Sequence, residues 1–356
     1  MEEKCFLCWS QDISRLRAVF IVLVVFLHSY QERINLATGS VQNTNELAKF
    51  IKLFISGGVA SVAVPGLFVI SAYLLYKKEF NYKENVIKKI KSLIIPYLIM
   101  NSAWILFFLI ATRLPYVNVF FTSDELNVWN WNVLKWLDAY GGIDGKPILY
   151  PMWFLKDLFI MNLIAPFFLV ANKRLPQVIP FVYVFVWLFV EKIPYIQIDI
   201  SAICFWGIGS WLAVNSDCLF RVRSYIKKEI QVIVVFVYFL VLFVTQMAGC
   251  SIYWANRTIV IVGLIAFWFI VCLFHDKKAS IQDKISKWGM CIYLFHEFTM
   301  SICQKILAYI FPITPATDLC TYFILPVFII CLCIMVGMLI KKISPKTYAV
   351  LTGGRV

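Results

Sequence analysis

Apolar residues do not alternate with polar ones along this chain. They gather in blocks of 15 to 24 residues, separated by shorter polar segments rich in lysine and arginine. Ten blocks stand out, at about 18–36, 53–76, 92–112, 152–171, 176–190, 200–215, 230–248, 257–274, 288–311 and 322–340. At a rise of about 1.5 Å per residue, most are long enough to cross a hydrocarbon layer of ~30 Å as helices. The pattern predicts an all-α, polytopic integral membrane protein of about ten transmembrane helices. With the first residues placed in the cytoplasm, 23 of the 33 Lys and Arg residues fall on the cytoplasmic side. That asymmetry puts both termini inside. No repeat of fixed period, low-complexity tract or linker interrupts the pattern, so residues 1–356 read as a single membrane-embedded domain with no separate soluble domain.

Composition agrees. The chain is 61% hydrophobic and 15% charged, with a mean hydropathy of +0.80. A soluble domain would be nearer 45–50% apolar and about 25% charged. A net charge of +13 raises the question of nucleic acid. Here the basic residues lie between apolar blocks, where orientation in a bilayer accounts for them, and no nucleic-acid partner is expected. The opening MEEKCFLCWSQD has no apolar core before a small-residue cleavage site, so no cleavable signal peptide is expected. Most of the 11 cysteines fall within apolar blocks as small hydrophobes. Cys5 and Cys8 form one CxxC without a second pair, so no metal is expected.

Polar groups inside apolar blocks carry the chemistry, because they are costly there and persist when they act. Arg17 and His28, eleven positions apart, fall within about 20° of one face of a helix and roughly 16 Å apart along it. The chain has three histidines. His296 stands in the ninth block beside Glu297, and adjacent helical residues point about 100° apart, so those two are not automatically a pair. His275, in an HDKK run, reads as a solvated loop residue. Lys156 and Asp157 enter the fourth block side by side, which lowers the penalty of burying either. Gly57, Gly58, Ala60, Pro65 and Gly66 in the second block favour close helix packing or a broken helix. Lys88, Lys89 and Lys91 precede Pro96, either as positive-inside anchors or as a basic mouth for a phosphorylated ligand. The segment 113–150, with Trp129, Trp131, Trp136, Tyr140, Asp138 and Asp144, reads as an interfacial aromatic belt or as a lid facing carbohydrate. No GxSxG, HExxH, P-loop or GxGxxG is present, which removes the parts of a serine hydrolase, metalloprotease or nucleotide triphosphatase.

In order along the chain, several segments resemble membrane-bound acyltransferase family 3. Arg17, ten residues, then His28 matches its R-x10-H signature. Val64–Leu75 is similar to its P-x-F-F-x-x-S-G-[FY] segment, and Lys88–Ile99 to its basic run before Pro-Tyr. Pro151–Leu158 resembles its W-F-L block, and Gly289–Phe298 its late S-x-x-I-Y-L-x-H block. There are departures: Ser14 where an Asp is common, Ala72 for Gly, and lysines for arginines before Pro96, which keep charge but lose the bidentate fork.

The resemblance implies transfer of an acyl group, usually acetyl, from cytoplasmic acyl-CoA to a hydroxyl of a cell-surface polysaccharide or lipid-linked glycan in a bacterial inner membrane. It implies His28 as general base with Arg17, and Arg17, Lys88 and Lys91 as contacts for CoA phosphates. Ser71, Trp153, His296 and Glu297 then line or orient the site. A homo-oligomer is compatible with the sequence, and the short tail after residue 340 leaves no C-terminal hydrolase-like domain. The rival reading is a transporter of a glycan, amino acid or acyl compound, with Lys156–Asp157 and His296–Glu297 as a proton relay.

Overall fold

A computed structural model describes residues 2–31, 34–36, 39–41, 45–78, 80–118, 121, 126–143, 145–193, 197–215, 226–249, 252–274 and 280–354. His275 and Asp144, and the side chains of Cys5 and Cys8, lie outside the described residues. In the described residues the architecture is helical apart from one small antiparallel ribbon. Its strands, Ile34–Leu36 and Gly39–Val41, pair Ile34 with Val41 and Leu36 with Gly39. Among the described residues five helices are long and apolar enough to cross a membrane, or six if one bent pair forms a single span, against the ten spans expected.

The first helix, α1 (Glu2–Ser29), starts well upstream of the first apolar block and ends before that block was expected to end. The polar run from Ser29 interrupts it, and the last three residues of the expected span lie in the ribbon instead. The second block lies within one continuous 31-residue helix, Glu46–Tyr76, whose geometry changes along its length. Helix α2 (Glu46–Leu53) passes through a π-turn at Phe54–Gly58 and a 3-10 turn at Val59–Val62 into α3 (Ala63–Tyr76). Pro65 falls at the third position of α3, where an amide lacks an intrahelical partner in any case. The basic run forms α4 (Tyr82–Lys89) and a π-turn at Ile90–Ile94 that leads into α5 (Ile95–Ala111). A short α6 (Val133–Gly141) follows. The fourth block is two helices, α7 (Trp153–Leu163) and α8 (Ala165–Arg174), bent by 58° where Pro166 starts the second. The remaining helices are α9 (Ile179–Phe189), α10 (Ile200–Asn215), α11 (Lys228–Met247), α12 (Tyr253–Leu273), α13 (Ser280–Ile310), α14 (Pro315–Ile343) and α15 (Pro345–Thr352).

The chain forms two compact units. The first comprises residues 1–27, 54–86 and 160–289. Its centre is the α3–α10 pair, which approach closely because the contact residues are small. A Cβ built on Gly209 would lie 2.3 Å from the Val69 carbonyl oxygen, and one on Gly66 would lie 2.2 Å from the Phe20 ring. Polar groups there are satisfied internally: Asn172 donates to Ser210 Oγ at 2.6 Å and accepts from the Tyr183 hydroxyl at 3.2 Å.

The second unit comprises residues 28–53, 87–159 and 290–356. Here α14 packs on α2 and α15, and α15 packs in turn on α5 and the turn before it. Lys52 and Asp318 form a largely buried pair at 2.7 Å, with the Lys52 ammonium 5.5 Å from the centre of the Tyr30 ring. Trp104, Phe107, Phe108, Phe121 and Phe298 form one apolar cluster, with Trp104 and Phe107 nearly parallel and the other contacts edge to face.

The small-residue contact is testable. Gly209→Ala would drive a methyl into a backbone oxygen that cannot rotate away, so a loss of roughly 1–3 kcal/mol and a lower melting temperature in detergent are expected. Gly289→Ala, whose Cβ meets only Ile21 at an ordinary 3.6 Å, should melt like the parent.

Candidate functional site

The second unit gathers His28, His296 and Glu297, three polar side chains the sequence singled out. His28 is in the last turn of α1, and His296 and Glu297 are adjacent on α13. His28 Nδ1 lies 3.1 Å from Glu297 Oε2, and the His28 and His296 rings are 5.1 Å apart between centres. Consecutive positions on a helix point in different directions, and here both converge on a third residue rather than on each other. Their side chains are only 12% and 22% exposed for His28 and Glu297, and His296 is fully buried.

His296 has a readable tautomer. Its Nδ1 lies 3.1 Å from the Ile292 carbonyl and 2.8 Å from the Tyr293 carbonyl, both acceptors, so Nδ1 carries the hydrogen. Nε2 then presents a lone pair, and that atom is buried with no hydrogen-bond partner. A bare acceptor in a buried place is costly unless something outside the protein donates to it.

The neighbouring chain is tied down. Gln304 of α13 donates to the Ser29 carbonyl at 2.8 Å, which satisfies a backbone group at the end of α1 beside His28. The Tyr293 hydroxyl donates to the Pro151 carbonyl, anchoring the 3-10 turn Tyr150–Met152 against α13. That turn sets the Tyr150 ring edge-on to His28, with 5.8 Å between ring centres. Tyr150 and Lys146, which the sequence reading did not select, therefore stand beside the cluster, and Trp153 joins them through Lys146. The signal was present as a basic residue interleaved with aromatics at 146, 150 and 153, inside a segment otherwise readable as an aromatic belt.

Other selected residues are not in this contact set. Arg17 is half-buried, and because α1 is unbroken between them it keeps its helical register with His28. Lys88 and Lys91 are exposed, at the end of α4 and in the following π-turn, and make no described contact with the cluster. Ser71 is half-buried in α3, in the first unit. Lys156 donates to the Gly141 carbonyl at 3.3 Å, and Asp157 beside it is buried.

Two kinds of chemistry suit the cluster. One donor atom from each of His28, His296 and Glu297 lies within 4.8 Å of the others, a set of N and O donors of the kind that holds a zinc-like cation. The same carboxylate–imidazole contact suits proton transfer, since a carboxylate beside Nδ1 orients the ring and stabilises the cation formed when Nε2 takes a proton.

Comparison with known proteins points to one class of reaction. Residues 11–339 match a family model described as an acyltransferase domain. Over 175 residues the chain is 24% identical to the succinoglycan biosynthesis protein ExoH of Rhizobium meliloti (strain 1021). That alignment covers 48% of this chain and 45% of the relative, so the chain spans less than half the length of the curated protein it matches. No solved structure matches the chain.

With only three histidines, the ring nitrogens are accessible to solid-state NMR of 15N-histidine-labelled protein. The expected spectrum has His296 as the Nδ1–H tautomer. Glu297→Gln should move the His28 nitrogen signals and leave that tautomer in place; an Nε2–H His296 would contradict the assignment.

Proposed function

Because the chain belongs to acyltransferase family 3, we propose that it transfers an acyl group, most simply acetyl, from cytoplasmic acyl-CoA to a hydroxyl of a cell-surface polysaccharide or lipid-linked glycan. The observation that carries the mechanism is the His28–Glu297 contact at 3.1 Å. The link to a glycan rests on the relative named for succinoglycan biosynthesis. In this reading the chain is one acyltransferase domain spanning a bacterial inner membrane about ten times, with both termini in the cytoplasm. Acyl-CoA, the glycan and the bilayer are its partners, with no role for nucleic acid or metal, and a homo-oligomer is compatible with it.

His28 acts as general base. With Nδ1 toward Glu297, its Nε2 takes the proton of the acceptor hydroxyl as the hydroxyl oxygen attacks the thioester carbonyl. The tetrahedral intermediate collapses, the carbon–sulfur bond breaks, and the thiolate leaves with the proton that His28 returns. An ester and free CoA result. Glu297 remains ionised and stabilises the transient imidazolium. The His296 Nε2 lone pair accepts a hydrogen bond from a hydroxyl of the bound acceptor and so orients it. Arg17, Lys88 and Lys91 contact the CoA phosphates, with Arg17 on the His28 helix linking donor to base. Trp153 lines the site.

A transporter reading would use Lys156–Asp157 as one half of a proton relay. The Lys156 contact to a backbone carbonyl and membership of an acyltransferase family both favour the enzyme.

The test is transfer of labelled acetyl from acetyl-CoA into glycan by membranes carrying the protein. His28→Ala should lower the rate roughly 100-fold or more at equal expression, as expected for loss of a general base. Glu297→Ala should lower kcat about tenfold or more while leaving the KM for acetyl-CoA near its parent value. Equal labelling by parent and His28→Ala would remove that residue from the mechanism. Treatment with a strong chelator should leave the rate unchanged, whereas loss of activity restored by zinc would turn the His28–His296–Glu297 cluster into a metal centre.

A further inference from the structure

We propose that Lys146, Tyr150 and Trp153 form an acceptor subsite that reads a negative charge, and that the acceptor is an acidic saccharide bearing a carboxylate near the hydroxyl to be acylated. This rests on the acyltransferase reading above and adds to it the class of acceptor.

The Lys146 ammonium sits 4.5 Å from the centre of the Tyr150 ring and 4.5 Å from that of Trp153, and 3.2 Å from the Tyr150 hydroxyl. All of these partners are neutral. Among the described residues no ion pair to Lys146 is present, and the residue is exposed. An ammonium has three donors, and one contact to a hydroxyl leaves the others for a ligand. Two aromatic faces beside a cation are the surfaces a sugar ring and its carboxylate require together: the ring stacks and the anion pairs.

The loop that carries Lys146 is preorganised. Gly142 ends α6 in the left-handed region at φ +59, and a Cβ there would lie 2.9 Å from the Pro147 nitrogen, so the chain folds back tightly on itself. Ile148 N–H donates to the Ala139 carbonyl at 2.8 Å, and Leu149 N–H donates to Asn101 Oδ1 at 3.1 Å. Asn101 is fully buried and donates in turn to the Tyr97 carbonyl at 2.9 Å. The backbone just after Lys146, at Ile148 and Leu149, is thus held by hydrogen bonds, which lowers the ordering penalty on binding.

The position ties this subsite to the chemistry. Tyr150 is the residue shared by both groups, since its ring faces Lys146 on one hand and meets His28 on the other. A sugar resting on Tyr150 and Trp153 with its carboxylate on Lys146 presents a ring hydroxyl toward His28. The unpartnered His296 Nε2 lies just beyond, and a second hydroxyl of the same ring satisfies it.

The experiment uses the full chain in nanodiscs with a glucuronate oligosaccharide, its carboxyl-reduced neutral counterpart, and a neutral sugar on a polyprenyl diphosphate. Binding of each fluorescently labelled acceptor is measured without donor, and transfer is measured with labelled acetyl-CoA. The parent should prefer the glucuronate oligosaccharide to its reduced form by at least tenfold in both. Lys146→Gln should erase that preference through KM, Lys146→Arg should keep most of it, and melting temperatures should verify that both variants fold. Equal handling of the two oligosaccharides by the parent, or a preference that survives Lys146→Gln, would overturn the proposal. A Lys146-dependent preference for the diphosphate acceptor alone would assign the anion to the lipid carrier and overturn the uronate. Lys146-dependent binding with no transfer to any acceptor would instead sink the acyltransferase reading and leave the subsite standing.

Discussion

A polar group surrounded by hydrocarbon has no water to fall back on, so each one must find its partner inside the protein. That constraint organises this structure more than apolar packing does, because an apolar helix surface is content against lipid or against another helix. In the first unit, Asn172 fixes how α8 meets α9 and α10 through Tyr183 and Ser210. In the second, Lys52 and Asp318 fix α2 against α14, and Gln304 fixes α13 against the end of α1. The His28–Glu297 contact belongs to the same set. Its exposure, 12% and 22%, is close to the 8% and 19% of the Lys52–Asp318 pair, and what sets it apart is the second imidazole, His296, beside it.

Much of the fold was legible because a membrane-spanning helix declares itself by length and apolarity alone. The block expected at 200–215 coincides with α10, and those at 230–248 and 257–274 lie within a few residues of α11 and α12. The small residues Gly57 and Gly58 were also visible, and they fall where the helix passes without a break from a π-turn into a 3-10 turn. What could not be read were geometry changes that leave hydropathy untouched. The bend at Leu163–Ala165 lies inside the continuous apolar run expected at 152–171. The ribbon strands Ile34–Leu36 and Gly39–Val41 are only three residues each, too short for a period-2 pattern to show, although the polar run from Ser29 already marked the end of the helix.

The site was legible in part, and the missing part is instructive. Arg17, His28, His296 and Glu297 announce themselves because ionisable residues in apolar blocks are rare. Sequence spacing could compare Arg17 with His28, and His296 with Glu297, because each pair shares a helix. It had no means of comparing α1 with α13, which is where the carboxylate–imidazole contact forms. Lys146 and Tyr150 were missed for a different reason. A basic residue and aromatics in a long polar segment are what an interfacial belt looks like, and only the Tyr293–Pro151 and Leu149–Asn101 hydrogen bonds turn that segment toward His28.

The two imidazoles in the cluster are chemically the same side chain given different free atoms. At His28 the carboxylate occupies Nδ1, so Nε2 is the nitrogen left to exchange a proton, and the neighbouring charge offsets the one that exchange creates. At His296 two backbone carbonyls occupy Nδ1, which commits its hydrogen and leaves Nε2 as an acceptor. In the proposed reaction the first ring would move a proton and the second would hold an oxygen in line. A hydroxyl needs both to become a nucleophile in a dry site, because removing its proton is useful only once its oxygen is aimed.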